Sequence, residues 1–476
     1  MAEKDTRRRQ VVMLPSLAQG HLIPFLALAR KIHHQFGFVV TIATTPLNAR
    51  YLRTAIAKSS SSVPATPEIY LYELPFDASD HGLPPNAENT ESLPLSRIVD
   101  LFRASVSLES PFRDLIGDLA AKDGRPPLCI ISDVFSGWTT RVAESFGTVN
   151  VTFTTGGAYG TAAYVSMWLD LPHREAAEDG TFSVAGFPES CRFHLSQLHR
   201  FVRVADGTDS WSRFFQPQIR DGMKSVGWIC NTAEEIEPLG LEILRKIIKL
   251  PVWPIGPLLP PLMMAGNSRV IGKHTGREPG ISPEKCLDWL DIRPENSVLY
   301  ISFGSQNSIG ASQMTALAKG LENSGKPFIW VIRPPVGSDP DGDFRSEWLP
   351  EGFRDRTKDE GLMVPGWAPQ PEILCHRATA AFMSHCGWNS AMESLSQGVP
   401  LIGWPLAAEQ GYNAKMLAEE MGVCAEVTRG ADSELTAETV TSVITTVMES
   451  EGMRGRAKRI AELIRKAAGD GDGSSS

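Results

Sequence analysis

Short apolar runs, each followed by a loop and then by a helical pattern of apolar positions, recur along the chain. Near the start, residues 10–14 are predicted to form a strand, residues 15–20 a loop and residues 22–32 a helix. The second half repeats this order, with a strand at 297–303 and a helix at 311–321. Because strands that alternate with helices form parallel sheets, the pattern predicts two doubly wound, Rossmann-like α/β domains.

Other apolar runs have the length of buried strands, and they are found at 38–43, 128–132, 328–332, 380–383 and 401–404. Between the two halves, a segment rich in Pro and Gly without clear periodicity is predicted to be a linker. The predicted divisions are an N-terminal domain at 1–252, the linker at 253–283, a C-terminal domain at 284–452, a last helix at 453–468 and a tail at 469–476. The tail and residues 58–67 are expected to be disordered.

Composition and charge narrow the class of protein. At 476 residues the chain exceeds the size at which one core keeps growing. The net charge of −9 argues against a nucleic-acid partner. No apolar run is long enough for a membrane span, and the charged N-terminus argues against a secretory signal. Seven scattered cysteines are typical of reduced thiols. We therefore expect a cytoplasmic protein, and a monomer.

The most informative motif follows the strand predicted at 380–383. That strand ends in a turn of small and polar residues, Ser384-His385-Cys386-Gly387-Trp388-Asn389-Ser390, and the helical pattern resumes at 391–395. A turn that opens a helix directly after a strand presents unpaired backbone N–H groups and the positive end of the helix dipole. Phosphate is the usual occupant of such a position.

The segment from Trp367 to Gln410 resembles the signature box of the plant UDP-sugar-dependent secondary-product glycosyltransferases. That box runs from a Trp in W-x-P-Q through H-C-G-W-N-S and a Glu to an acidic-Gln pair, and this segment has its length without a gap. The resemblance implies a GT-B architecture, in which two Rossmann-like domains face one another across a cleft and the last helix crosses back to the first domain. It also implies a UDP-sugar as co-substrate, no other cofactor and no metal.

The resemblance assigns roles along this segment. Trp367 is expected to stack on uracil and Glu393 to accept the ribose hydroxyls, while Glu409 and Gln410 hold the sugar. The other residues assigned to substrate binding are Ala368, Gln370, His385, Gly387, Trp388, Asn389 and Ser390. Of these, His385, Asn389, Ser390 and the Trp388 backbone are expected to stabilise the departing UDP. Glu409 stands where Asp is usual in the family, whereas Gln410 favours glucose by family analogy.

Structural roles remain as alternatives for several of these residues. Ser390 and Glu393 have the S-x-x-E spacing of a capping box, so Glu393 could close the helix start by bonding back to the Ser390 amide. Trp367 could be an ordinary core aromatic. His385 taken alone could be a loop histidine without a ligand.

The candidate general base lies in the first half. His21, in Gly20-His21-Leu22-Ile23-Pro24, is predicted at a helix start, with Pro24 at an early position that tolerates a missing N–H. A helix N-terminus disfavours imidazolium, so we expect a neutral ring that can accept a proton. The motif G-H-x-x-P-x-x-x-L-A resembles the family's base-bearing loop. A histidine that only caps the helix is the alternative.

Three further residues complete the candidate site. Asp133 follows the strand at 128–132, at the sheet edge where active sites of parallel sheets collect, and it is expected to hold the second nitrogen of His21. Thr155 and Ser305 resemble the family's hydroxyls that reach the sugar or its phosphate. Capping of a helix or loop is the alternative for all three.

One motif is rejected as a phosphate site. Residues 320–327 read G-x-x-x-x-G-K-P, with Pro327 in place of the hydroxyl of a P-loop. The segment also ends a helix and leads into a strand, which is the reverse of the P-loop order. Gly325 is therefore predicted to be a helix C-terminal residue.

The predicted reaction is direct displacement at the anomeric carbon of a UDP-sugar by an acceptor hydroxyl, which gives a β-glycoside. A lipophilic acceptor of phenolic, flavonoid or terpenoid type is expected. The aromatic residues considered as its lining are Phe76, Trp138, Tyr159, Trp168, Phe187, Phe201 and Trp211. The alternatives are a UDP-sugar epimerase or hydrolase on the same fold, and a non-catalytic nucleotide-binding module.

Overall fold

The computed structural model describes residues 9–59, 69–264, 279–338, 342, 345–429 and 434–469. The segments predicted to be disordered, 58–67 and 469–476, lie outside these residues except at their first positions. Among the described residues, no helix is both long enough and apolar enough to cross a membrane.

The described chain forms two compact units, each assembled from stretches that are not contiguous in sequence. The first unit lies within Met1–Thr155, Ala205–Asn231 and Leu244–Leu258. The second lies within Gly156–Val204, Thr232–Ile243 and Leu259–Ser476. Two stretches that precede the predicted linker therefore pack with the second unit. The division into functional domains at 1–252 and 284–452 stays a prediction.

The strands are short, and most are buried. In chain order they are β1 Gln10–Leu14, β2 Val39–Thr44, β3 Ile69–Glu73, β4 Cys129–Asp133, β5 Val149–Thr154, β6 Thr181–Phe182, β7 Phe193–His194, β8 Trp228–Cys230, β9 Val252–Pro254, β10 Val298–Ser302, β11 Phe328–Ile332, β12 Gly361–Pro365, β13 Thr379–Ser384, β14 Leu401–Gly403 and β15 Cys424–Glu426.

Helices connect these strands. They are α1 Gln19–Phe36, α2 Pro46–Ser59, α3 Ile98–Ala104, α4 Glu109–Asp123, α5 Thr139–Ser145, α6 Ala158–Asp170, α7 Arg200–Arg203, α8 Ser210–Gly222, α9 Pro238–Ile248, α10 Pro261–Met264, α11 Pro283–Asp291, α12 Ala311–Ser324, α13 Phe353–Arg356, α14 Gln370–Cys375, α15 Trp388–Ser396, α16 Gln410–Lys415, α17 Ala437–Glu449 and α18 Glu451–Gly469.

Each unit contains one parallel sheet. The first has seven strands in the order β3-β2-β1-β4-β5-β8-β9, and the second has six in the order β12-β11-β10-β13-β14-β15. All pairings inside these two sheets are parallel, whereas β6 and β7 form a small antiparallel pair. The two doubly wound α/β domains predicted from the sequence are confirmed.

Both sheets are buried on both faces, which explains the continuous apolar runs. In β1, Val12 and Leu14 pack into one hydrophobic core, whereas Val11 and Met13 pack into the core on the opposite face. Strand β10 behaves in the same way, with alternate residues in two separate cores of the second unit. A strand covered by helices on both sides needs apolar residues at every position rather than at every second one.

One local detail differs from the prediction. Helix α1 begins at Gln19, so Pro24 lies inside the helix in its second turn and not at an early position. The predicted linker at 253–283 is ordered at both ends, because β9 joins the first sheet and α11 begins at Pro283. Its residues 265–278 lie outside the described part of the chain. Gly325 ends α12 in the left-handed conformation, as predicted.

Candidate active site

The first unit brings His21 and Asp133 together. His21 is the third residue of α1, and Asp133 is the last residue of β4, which pairs directly with β1. The Nδ1 atom of His21 lies 2.6 Å from Oδ2 of Asp133. Because a carboxylate can only accept, Nδ1 carries the proton and the acceptor nitrogen of the neutral ring is Nε2. The Asp133 side chain is fully buried, whereas that of His21 is 23% exposed.

Backbone and hydroxyl groups fix this pair further. The N–H of Phe135 donates to Oδ1 of Asp133 at 3.1 Å, so both carboxylate oxygens accept a hydrogen bond. Oγ1 of Thr155 lies 3.3 Å from Nδ1 of His21. The structure thus places Thr155 beside the histidine, next to the nitrogen that already contacts Asp133. His21 can therefore act as a base through Nε2 while its orientation is held from the opposite side of the ring.

A group of aromatic side chains in the same unit lies next to the His21–Asp133 pair. The ring of Phe135 is centred 5.5 Å from that of His21, and it contacts Phe102 at 5.6 Å and Phe215 at 4.9 Å. Trp211 lies against Phe102 and Phe215. We call Phe102, Phe135, Trp211 and Phe215 the aromatic wall. All but Phe215 are partly exposed.

Three of the aromatic residues considered as acceptor lining have another location. Trp138, Tyr159 and Trp168 are each 1% exposed and belong to the hydrophobic interior. Trp211 is the residue of that set that belongs to the aromatic wall. The sequence could not separate these cases, because the large aromatic residues of a core and of a pocket have the same local patterns.

The second unit contains the turn between β13 and α15, residues 385–390, which we call the 385–390 turn. Cys386 has φ +62°, a left-handed conformation that is uncommon for a residue with a side chain. Gly387 is the N-cap of α15, so the first turn of the helix begins with Trp388, Asn389 and Ser390. Their N–H groups lie at the positive end of the helix dipole.

His385 is enclosed by two glycines. A Cβ atom at Gly304 would lie 2.7 Å from Nε2 of His385, and one at Gly387 would lie 2.4 Å from it. Real Cβ atoms do not approach so closely, so both positions require glycine for the ring to sit here. Burial lowers the pKa of His385 to about 4, so the ring is neutral at physiological pH. Among the residues that the structure describes, none forms a hydrogen bond with its buried Nδ1 atom.

Gln370, Ser390 and Glu393 form one hydrogen-bonded group. Nε2 of Gln370 donates to Oε2 of Glu393 at 2.7 Å and to Oγ of Ser390 at 3.1 Å. The hydroxyl of Tyr300 donates to Oε1 of Gln370 at 3.2 Å. The capping-box alternative for Glu393 is wrong, because α15 begins two residues before Ser390 and its N-cap is Gly387. Glu393 therefore lies in the middle of the helix.

The carboxyl group of Glu393 predicts a measurable pH dependence. Burial, together with the nearby charge of Glu372, raises its pKa to about 7, although the hydrogen bond from Gln370 lowers it. Since the folded chain binds this proton more tightly than the unfolded chain, the free energy of unfolding should fall as the pH rises from about 4.5 to about 7. Glu393→Gln should remove this contribution to the pH dependence of the free energy of unfolding. Thermal melts of both proteins at pH 5 and pH 8 measure it, and an equal change in both would contradict the assignment.

Glu409 and Gln410 lie side by side at the start of α16. Oε1 of Gln410 accepts hydrogen bonds from the N–H groups of Leu406 and Ala407 at 2.9 and 2.8 Å. That leaves the Nε2 hydrogens of Gln410 as the donors available to a ligand. Oε1 of Glu409 lies 3.5 Å from Nδ2 of Asn413. The same turn of helix thus carries a carboxylate and an amide donor, a combination suited to sugar hydroxyls.

The remaining predicted residues also belong to the second unit. Trp367 follows β12 and is partly exposed, whereas Ala368 beside it is buried. Ser305 follows β10 and is partly exposed. His21, Asp133 and Thr155 thus form one group in the first unit, and the other predicted residues belong to the second unit.

Sequence reasoning missed two residues that organise these loops. Nη1 of Arg333, just after β11, donates to the carbonyl oxygens of Gly304 at 3.1 Å and Ser305 at 2.5 Å. Nδ2 of Asn413 donates to the carbonyl oxygen of Cys386 at 3.0 Å. Both contacts join residues distant in sequence, and neither residue lies in a recognisable motif. Only the position of Asn413, one helical turn after Glu409, offered a signal.

Comparison with known proteins decides the family. Residues 256–465 match the family model "UDP-glucoronosyl and UDP-glucosyl transferase", and residues 8–260 match "Glycosyltransferase, N-terminal domain". The chain belongs to the UDP-glycosyltransferase family. UDP-glycosyltransferase 92A1 of Arabidopsis thaliana is 41% identical over 99% of this chain and 95% of that protein. Crocetin glucosyltransferase 3 of Crocus sativus is 42% identical over 93% and 91% of the two chains.

Solved structures agree with this assignment. The Glycyrrhiza uralensis UGT73P12 structure, complexed with glycyrrhetinic acid 3-O-monoglucuronide, matches with a TM-score of 0.79 and 28% identity over 97% of this chain and 92% of that one. A UDP-glucosyltransferase from Polygonum tinctorium matches with a TM-score of 0.76 and 28% identity over 98% and 95% of the chains. The predicted GT-B fold class and the predicted glycosyl transfer from a UDP-sugar are confirmed.

The glycosyltransferase uses the UDP-sugar as co-substrate. Within the part of the chain that the structure describes, no group of three or more His, Cys, Asp or Glu side chains could hold a metal ion. The epimerase, hydrolase and binding-module alternatives are not favoured by the relatives, which are named as transferases.

Proposed function

We propose that this glycosyltransferase moves glucose from UDP-glucose to a hydroxyl group of a lipophilic small molecule, with inversion at the anomeric carbon. The observation that carries the proposal is the contact between His21 and the buried Asp133. A neutral histidine whose second nitrogen is fixed by a buried carboxylate is the arrangement that a general base requires.

In the proposed mechanism, His21 accepts the proton of the acceptor hydroxyl at Nε2. The oxygen attacks the anomeric carbon as the bond to the UDP oxygen breaks. The imidazolium that forms keeps its Nδ1 hydrogen bond to Asp133, whose negative charge stabilises it. A single displacement turns the α-linked donor into a β-glucoside. No covalent intermediate with the enzyme is involved.

The leaving group is held by the second unit in this proposal. The diphosphate binds at the start of α15, where the Trp388 N–H and the side chains of Asn389 and Ser390 meet the positive end of the helix dipole. His385 adds a hydrogen-bond donor. Its low pKa, about 4, means that it contributes an N–H dipole rather than a full charge. Groups already oriented toward the developing charge stabilise the transition state without reorganising.

The nucleoside and the sugar have separate contacts in this proposal. Trp367 stacks on uracil, next to Ala368, while Glu393 is held by its hydrogen bond from Gln370 and accepts the ribose hydroxyls. Glu409 accepts from the sugar and Gln410 donates through Nε2. Thr155 and Ser305 contribute hydroxyls near the sugar or its phosphate. Relatives named crocetin and scopoletin glucosyltransferases support glucose as the donor sugar.

The donor assignment gives a prediction. UDP-glucose should be used in preference to UDP-galactose and UDP-glucuronate. Gln410→His should reduce glucose transfer more than UDP binding. The amide oxygen of Gln410 accepts from the Leu406 and Ala407 N–H groups while its nitrogen donates to the sugar, and the single acceptor nitrogen of imidazole cannot replace all of these bonds. Donor competition assays and calorimetry with UDP measure the two effects. A wild-type preference for UDP-glucuronate would overturn the assignment.

The acceptor is proposed to be a phenolic, flavonoid or terpenoid compound. The aromatic wall supports this class, because partly exposed aromatic faces beside His21 favour a flat or apolar ring system. Relatives named for scopoletin and for a flavonoid 3-hydroxyl agree with it. We further propose that residues 1–252 serve the acceptor and 284–452 the donor, with the last helix returning to the first domain. We also propose that the protein is a cytoplasmic monomer.

The configuration of the product tests the proposal. Product made from UDP-glucose and a simple phenol should be a β-glucoside, which proton NMR identifies from the large coupling of the anomeric hydrogen. The matched control is the same reaction without enzyme. An α-glucoside would exclude single displacement with His21 as base.

A further inference from the structure

Asn413 contacts both parts of the proposed donor site. It lies in α16, its side chain is fully buried, and Nδ2 donates to the carbonyl oxygen of Cys386 at 3.0 Å. The same nitrogen is 3.5 Å from Oε1 of Glu409. Since an amide nitrogen carries two hydrogens, one side chain can serve both oxygens.

Cys386 is the residue whose backbone needs such support. Its φ of +62° is costly for any residue with a side chain. Its N–H donates to Oγ of Ser384 at 3.2 Å, and its carbonyl accepts from Asn413. Side chains therefore hold the peptide groups on both sides of the strained residue. That residue separates His385 from Gly387, so its conformation sets the position of both.

Helix α6 fixes the amide from the other side. A Cβ atom at Gly160 would lie 2.1 Å from Oδ1 of Asn413 and 3.5 Å from Cγ of Glu409. The backbone of α6 can approach these two side chains because residue 160 is glycine. The rotamers of Asn413 and Glu409 are therefore restricted by the same surface.

We propose that Asn413 is a positioning residue that couples the 385–390 turn to the sugar-binding carboxylate of Glu409. This inference rests on the proposed function, in which the turn holds the diphosphate and Glu409 holds the sugar. Without the Asn413 amide, the Cys386 carbonyl loses its hydrogen-bond donor and Glu409 loses its contact with Nδ2 of Asn413. The sugar should then be held less firmly than the nucleotide, because it depends on both contacts.

The test replaces Asn413 with leucine, which has nearly the same shape but no donor. Calorimetry with UDP and with UDP-glucose should show a fall of about tenfold in affinity for UDP-glucose, as expected when a buried carbonyl loses its hydrogen bond. The affinity for UDP should fall several-fold less. The matched control is Ser394→Ala, which removes the buried hydrogen bond from Ser394 Oγ to the Val399 carbonyl near the end of α15. It should lower the melting temperature without changing either affinity.

Two outcomes would overturn the coupling. One is wild-type affinity of Asn413→Leu for both ligands, and the other is an equal loss for both. If Asn413→Leu does not fold, Gly160→Ala is the second test. The new methyl group at residue 160 would displace the Asn413 amide. This variant should show the same unequal loss, and unchanged affinities would reject the proposal. Wild-type protein that binds UDP-glucose but transfers no sugar would instead reject the proposed function.

Discussion

Replacing His21 with alanine should reduce sugar transfer to an unactivated hydroxyl by about 10²- to 10⁴-fold, the usual contribution of a general base. UDP binding should be unchanged, because the residues proposed to hold UDP belong to the second unit, and the protein should still fold, because Asp133 keeps its hydrogen bond from the Phe135 N–H. Initial rates with an alkyl alcohol acceptor measure the loss. A strongly acidic phenol should depend less on His21, since it ionises with little help.

Asp133→Asn should lose much of the same factor, because it removes the negative charge that stabilises the imidazolium. The double variant should be little worse than His21→Ala alone, since Asp133 acts through His21. His33→Ala is the matched control, as His33 lies in the last turn of the same helix and contacts the Phe38 carbonyl. Near wild-type rates for His21→Ala on an alkyl alcohol would remove His21 from the mechanism.

The second large effect is expected at His385. His385→Ala should reduce kcat/KM for the donor by about 10²- to 10³-fold, the loss typical when one oriented donor to a developing negative charge is removed. The ring is buried and its Nδ1 atom has no hydrogen-bond partner in the described part of the chain, which indicates a side chain held for a ligand. His376→Ala is the control, because His376 is also a buried histidine of this unit but contacts Asp291. It should lower the melting temperature and leave the donor KM unchanged.

Gly387→Ala tests the same site without touching the imidazole chemistry. Its φ of −61° suits alanine, so only the close approach of the new methyl group to His385 matters. We expect a loss of kcat/KM for the donor approaching that of His385→Ala. Gly310→Ala is the matched control, since its Cβ atom would meet only Gln313 Oε1, at 3.6 Å. Equal kcat/KM for the donor in the two glycine variants would contradict the role of His385.

The features predicted best from the sequence are those that burial and local chemistry determine. Strands such as β1, β11 and β13 are covered on both faces, so their unbroken apolar runs identified them at nearly the observed ends. The edge strand β3 was missed, because its residues Tyr70, Tyr72 and Glu73 are exposed and interrupt the apolar pattern. Edge strands have only one neighbour, and their sequences resemble those of loops.

Some features of the site depend on contacts between residues that are distant in sequence, and these features were the hardest to predict. The Asp133 carboxylate was predicted beside His21 because it follows a strand at the sheet edge where active sites collect, and the structure places the two side chains in contact. By contrast, the S-x-x-E spacing left a capping role open for Glu393, which the structure excludes because the N-cap of α15 is Gly387 rather than Ser390. The contacts of Arg333 with the loop after β10 also depend on tertiary structure. The roles of the site residues themselves stay predictions until variants are measured.

The most direct test of the central claim is the release of UDP from UDP-glucose, followed with and without a phenolic acceptor. We predict that UDP appears only when the acceptor is present, in amounts equal to the glucoside detected by mass spectrometry. His21→Ala should suppress both together. UDP release at the same rate without acceptor would identify a hydrolase, and acceptor-independent conversion of UDP-glucose into another UDP-sugar would identify an epimerase. Either result would contradict sugar transfer as the function of this protein.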